Sequence, residues 1–167
     1  ESLVRQLKQA EQALQLLQQK QEALRQQSEA ANRQLDSEQR RQELNRLGNQ
    51  QQQLRKQTST TARKLKRLRE YSPAESTNRA ASRMREAASQ LERQSVPQAF
   101  QQQQQAAQDL QQAQRELARS RQLAESRQQD DLLKQLLDAI RDLAESEQEI
   151  IEGTTTLRDQ LQKNDNR

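Results

Sequence analysis

Histidine and cysteine are both absent from the chain, which has only two glycines, two prolines and 1% aromatic residues in 167 positions. Without cysteine there is no disulfide framework, thiol nucleophile or thiolate metal site, and any redox compartment is permitted. Without histidine the chain lacks the usual general base near neutral pH, the common zinc ligand sets and the Ser-His and Cys-His nucleophile pairs. A helical-bundle di-iron site is excluded as well, because it requires Glu-x-x-His. Gly48 and Gly153 stand alone, so no glycine-rich phosphate loop can be built. These absences argue against an enzyme and against any cofactor or metal. There is no signal peptide, and no apolar run reaches the ~18 residues of a membrane span. The chain opens at Glu1 rather than at Met, so it reads as a piece of something longer, and an anchor outside this piece is compatible with it.

Only 30% of the residues are hydrophobic and the mean hydropathy is -1.34, which disfavours a large compact core and leaves extended coiled coil or disorder. The abundant residues are good helix formers, and regular leucine spacing favours the coiled coil. The best-patterned stretch is residues 132–161. There Leu133, Leu136, Ile140, Leu143, Glu147, Ile150, Thr154, Leu157 and Leu161 follow at alternating steps of three and four, a heptad seam that needs a second helix to cover it.

A second seam opens the chain: Leu3, Leu7, Ala10, Leu14, Leu17, Gln21, Leu24, Ser28, Ala31 and Leu35. Gln21 and Ser28 read as tolerated imperfections rather than as register-fixing polar residues. The pattern lapses over residues 36–43 and resumes, out of phase, at Leu44, Leu47, Gln51, Leu54, Thr58, Thr61, Leu65 and Leu68. Gly48-Asn49 could cap a helix ending at Leu47, but the seam keeps its phase through Gly48, so one long, locally weakened helix is expected.

Ser72-Pro73-Ala74-Glu75 is the clearest boundary, a capping box with proline at the first helical position. The following Ala80, Ala81, Met84, Ala87, Ala88 and Leu91 are small or slender and would allow close helix approach. Ser95-Val96-Pro97-Gln98 repeats the signal and predicts a restart or kink, since proline inside a helix costs about 3 kcal/mol. A thinner seam follows at Ala106, Leu110, Ala113, Leu117 and Ala124, behind a glutamine run that reads as helix surface. Gly153 and the three threonines after it lower helix propensity, with fraying after Glu152 as one expectation.

The expected fold is all-α, a long antiparallel helical hairpin or coiled coil. Residues 1–70 form a first long helix weakened near 36–49, residues 71–96 a turn and short helix with a basic tip, residues 97–163 a second long helix, and residues 164–167 a disordered tail. In that hairpin residues 3–14 face residues 130–141, so the two leucine-rich segments cover each other. The alternatives are an elongated three- or four-helix bundle and pairing between molecules.

Charge is segregated. Residues 55–85 hold ten basic residues against Glu70 and Glu75, and residues 130–159 hold nine acidic residues against Lys134, Arg141 and Arg158. Cations near the end of a helix at Glu70 would meet its dipole favourably, but that effect fades within a turn. The candidate basic docking site is Arg63, Lys64, Lys66, Arg67, Arg69, Arg79, Arg83 and Arg85. The candidate acidic face is Asp138, Asp142, Glu145, Glu149 and Glu152, whose plainer reading is a solvated helix surface. The leading function is a non-enzymatic spacer or scaffold that docks a protein partner or self-associates. The alternative is non-specific nucleic-acid binding through residues 55–85, which predicts steep salt dependence; the scarcity of aromatic residues opposes specific readout. Contact with an anionic membrane surface is disfavoured because the basic helices lack a strong apolar face.

The segments AASRMREAASQLERQSVPQAFQQQQQAAQDLQQAQREL and LLDAIRDLAESEQEIIEGTTTLRDQL resemble glutamine- and glutamate-rich helical regions of large membrane-anchored bacterial proteins of unknown function. The resemblance spans about half the chain, is largely compositional and implies a bacterial envelope protein. It supplies no functional residues.

Overall fold

The computed structural model describes residues 2–34 and 36–165, and among these there are four helices and no strand: α1 (Leu3–Gln34), α2 (Ser37–Arg67), α3 (Tyr71–Glu92) and α4 (Val96–Asp165). The chain is all-α and divides into two compact units, Glu1–Ala124 and Glu125–Arg167.

The expectation of one helix over residues 1–70 is corrected: the chain turns at Asp36, and Gly48 lies inside α2. Asp36 is the N-cap, its Oδ1 accepting from the Gln39 amide at 2.9 Å. Gln39 stands three residues on, in the sequence position of a capping box, and the lapse over residues 36–43 is this helix start. Leu35, assigned above to the seam that opens the chain, lies outside the described residues.

The next two connections share one device. At the end of α2 the Arg69 amide donates to Lys66 O and the Glu70 amide to Leu65 O, both at 3.0 Å, with Arg69 at φ 63°. At the end of α3 the Gln94 amide donates to Leu91 O and the Ser95 amide to Gln90 O, with Gln94 at φ 59°. Both are Schellman closures with a non-glycine residue in the left-handed position. The capping box expected at Ser72 does not form: α3 starts at Tyr71, its N-cap is Glu70, and no side chain caps it. The preceding closure already holds the chain there, so Ser72 falls within the first turn. Pro73 and Pro97 sit in the first turns of α3 and α4, where a missing amide donor leaves no bond unmade.

The first unit is an antiparallel four-helix bundle. Thr58 Oγ1 donates to Met84 Sδ across α2 and α3, as a hairpin turning near Ser72 requires. Ser76 meets Glu116 across α3 and α4, while Gln18 meets Gln114 and Glu11 meets Arg121 across α1 and α4. Leu7, Leu14, Leu17 and Leu24 are buried with Leu44, Leu47, Leu54 and Leu65, and with the alanines of α3 and α4. A Cβ added at Gly48 would lie 3.4 Å from Ala88 O, so α2 and α3 approach closely where both present small residues. Two seam assignments change. Leu3 is exposed, and Ala62 rather than Thr61 takes the buried place.

Because α1 folds back at Asp36, it packs on residues of α4 up to Ala124, and the expected opposition of residues 3–14 to residues 130–141 does not occur. In the second unit every residue from 126 to 165 is exposed. The helix passes through Gly153 and continues beyond Glu152, with the hydroxyls of Thr154, Thr155 and Thr156 donating back to the Ile150, Ile151 and Glu152 carbonyls. Asn164 and Asp165 are helical rather than disordered, and Asn166 and Arg167 lie outside the described residues.

Candidate functional site

The basic candidates separate into three groups. Arg63, Lys64, Lys66, Arg67 and Arg69 are exposed on the last turns of α2 and its closing turn. Arg79 faces α4 instead: its guanidinium donates to Ser76 Oγ at 3.0 Å and to Gln112 Oε1 at 3.3 Å, and approaches Asp109 Oδ1 at 3.4 Å. Arg83, four residues on, lines the same α3–α4 groove with Glu75, Asn78 and Glu86. Arg85 lies ~200° around α3 from Arg83 and belongs to another face. The eight residues therefore do not form one patch.

Topology adds residues to the first group that local spacing could not reveal. Antiparallel packing brings the start of α1, with Arg5 and Lys8, and the Arg115–Arg121 region of α4 to the end of the bundle where α2 stops. Counted over residues 2–12, 60–79 and 109–124, this end carries eleven basic and five acidic residues. Arg121 Nε meets both Glu11 carboxylate oxygens at 3.0 Å.

In the second unit Asp138, Asp142, Glu145, Glu149 and Glu152 alternate at steps of four and three along one exposed strip of helix. Among the described residues no group of three or more His, Cys, Asp or Glu is placed to hold a metal ion. The seam residues Leu133, Leu136, Ile140, Leu143, Ile150, Leu157 and Leu161 are 54 to 67% exposed, so no other part of the described chain covers them. Their phase is separate from that of α4 in the bundle, since Leu117 and Leu133 are two heptads plus two residues apart. The neighbouring Leu132, Leu137 and Ile151 are exposed too.

Side-chain electrostatics in the bundle are those of a helical surface. Hydrogen bonds from Arg25 hold the Glu22 carboxyl below its ordinary value, and those from Arg46 do the same to Glu43. Arg25 also lies 4.9 Å from the centre of the Phe100 ring, joining α1 to α4. The groove between α1 and α4 is lined mainly by polar side chains, among them Glu11, Gln15, Gln18, Glu22 and Gln114. Among the described residues no helix is long and apolar enough to cross a membrane. No protein-family model, curated protein or solved structure matches this chain.

Proposed function

We propose that the chain is a non-enzymatic interaction module: a four-helix bundle serving as scaffold, joined to a helical docking element, residues 130–161. The observation that carries this reading is the exposed heptad seam. Ten leucine and isoleucine side chains between Leu132 and Leu161 are more than half exposed on one helix, a larger apolar surface than a free helix gains from. The acidic strip and the basic end of the bundle add charge complementarity that would steer partners of opposite sign. The resemblance to helical regions of membrane-anchored bacterial proteins adds an envelope setting.

Cross-linking mass spectrometry in extract tests the reading. Links to protein partners should concentrate on residues 130–161 and disappear in a Leu136→Ser, Leu143→Ser, Ile150→Ser variant. Links indifferent to that variant would overturn it. The second reading, nucleic-acid binding, draws on the eleven basic residues at the α2 end. A salt titration with an arbitrary duplex decides between them: retention at low salt that falls steeply as salt rises would favour nucleic acid, and no retention removes it.

A further inference from the structure

We propose that the occupant of the exposed seam is a second copy of this chain, paired antiparallel through residues 130–161. The inference rests on the reading of that segment as a docking element. With Leu133 and Leu136 taken as the first and fourth places of a heptad, the five places farthest from the seam are Asp131, Asp138, Glu145, Glu152 and Asp159, all acidic. The places flanking the seam are instead almost uncharged: Leu132, Leu137, Ala139, Ala144, Ser146 and Ile151. In coiled coils these flanks normally carry the charges that select a partner. Here nothing on them selects a different helix, and the acidic surface is turned away from the contact, where it does not repel an identical chain.

The two charged flanking residues, Asp130 and Arg158, have opposite signs and lie at opposite ends of the segment. A two-fold antiparallel pairing that sets Ile140 against Ile150 of the second copy also sets Leu133 against Leu157. It places Ala144 beside its own equivalent at the axis, and Asp130 beside Arg158 at both ends, as an isologous contact requires. The one charge within the seam, Glu147, then faces Leu143 with Arg141 of the second copy alongside. A parallel pairing would instead stack Glu147 on Glu147 in the core and leave Asp130 and Arg158 unmatched. The area is adequate. At on the order of 60–100 Å² for each of the ten exposed leucine and isoleucine side chains, each copy would bury on the order of 600–1,000 Å², the size of a standard interface.

The absence of cysteine makes the register directly testable in the full chain. Sedimentation equilibrium should give twice the 19.5 kDa chain mass. Under mild oxidation Ala144→Cys should link to itself, whereas Leu157→Cys should not. Asp130→Arg and Arg158→Asp should each weaken the dimer about tenfold, through two lost pairs and two like-charge contacts, and the double exchange should restore it. A monomer at all concentrations, a trimer or tetramer, or efficient linkage through Leu157→Cys, as a parallel pair would give, overturns the proposal. A chain that stays monomeric yet cross-links other proteins through the seam in extract would overturn self-pairing while leaving the docking reading intact.

Discussion

Gln21 and Gln51 exchange hydrogen bonds in the middle of the bundle. Gln51 Nε2 donates to Gln21 Oε1 at 2.6 Å and Gln21 Nε2 to Gln51 Oε1 at 3.3 Å, with both residues fully buried. Gln103 of α4 completes the layer, its Nε2 donating to Gln51 Oε1 and to Ser28 Oγ, while its own Oε1 has no partner. Three helices thus present a hydrogen-bonded amide layer in a core built mainly from leucine and alanine. Such a layer penalises a slipped register, because a one-heptad shift of α2 in one direction would set Gln21 against Leu44 and Gln51 against Leu14.

The layer predicts two unequal substitutions. Gln51→Ala removes both side-chain hydrogen bonds of Gln21 and opens a cavity, and should cost about 3 kcal/mol in urea denaturation. Gln103→Leu removes an unpaired buried oxygen while Gln51 and Ser28 keep other partners, so it should be near neutral or stabilising by about 1 kcal/mol. A larger loss for Gln103→Leu than for Gln51→Ala would contradict this account of the layer.

The helix closures predict gains. Arg69 and Gln94 hold left-handed conformations that cost a non-glycine residue energy. Arg69→Gly and Gln94→Gly should each raise the stability of the bundle by about 0.5–1 kcal/mol, reduced by the extra freedom glycine has when unfolded. Thermal melts of the two variants and their combination measure it, and because the turns lie at opposite ends the gains should add.

The two glycines, both helical, should behave differently. Nothing lies within 4 Å of a Cβ added at Gly153, so Gly153→Ala should slow amide exchange around it by the equivalent of about 1 kcal/mol. At Gly48 the added Cβ meets Ala88 O and Glu92 Cγ at 3.4 Å. Alanine there should be tolerated, whereas Gly48→Leu should force α2 from α3 and cost about 2 kcal/mol or more.

Acid should weaken the bundle modestly. Arg25 and Arg46 lower the Glu22 and Glu43 pKa values from 4.5. The unfolded chain therefore binds more protons across that window. The stabilisation is complete above the unfolded value and lost as pH falls through the folded ones. Both pairs are local and open to solvent, so each should contribute about 0.2–0.5 kcal/mol after screening. Urea midpoints at neutral and acid pH measure this, with Glu22→Gln reducing the difference.

Several features follow from sequence alone. Helix-forming composition and the three-four spacing of Leu7, Leu14, Leu17 and Leu24 specify amphipathic helices with one apolar face, since 3.6 residues per turn carries every such position to the same side. The turn preceding Pro73 and the restart beside Pro97 are legible for the same local reason, because proline has no amide to continue a helix. The Asp36 cap was legible too, from Gln39 three residues on, but the continuous seam through Gly48 competed with it. Tertiary structure decided which faces meet. Reversal at Asp36 sends α1 against residues 103–121 of α4, covers Leu7 to Leu24, gathers basic residues from all four helices at one end, and leaves residues 132–161 uncovered. Heptad spacing records that a face is apolar and carries no address for its partner. That choice belongs to chain reversals set by one cap and two left-handed residues, and to the polar layer, in which Gln21 and Ser28 are bonded members rather than the tolerated imperfections their seam positions suggested.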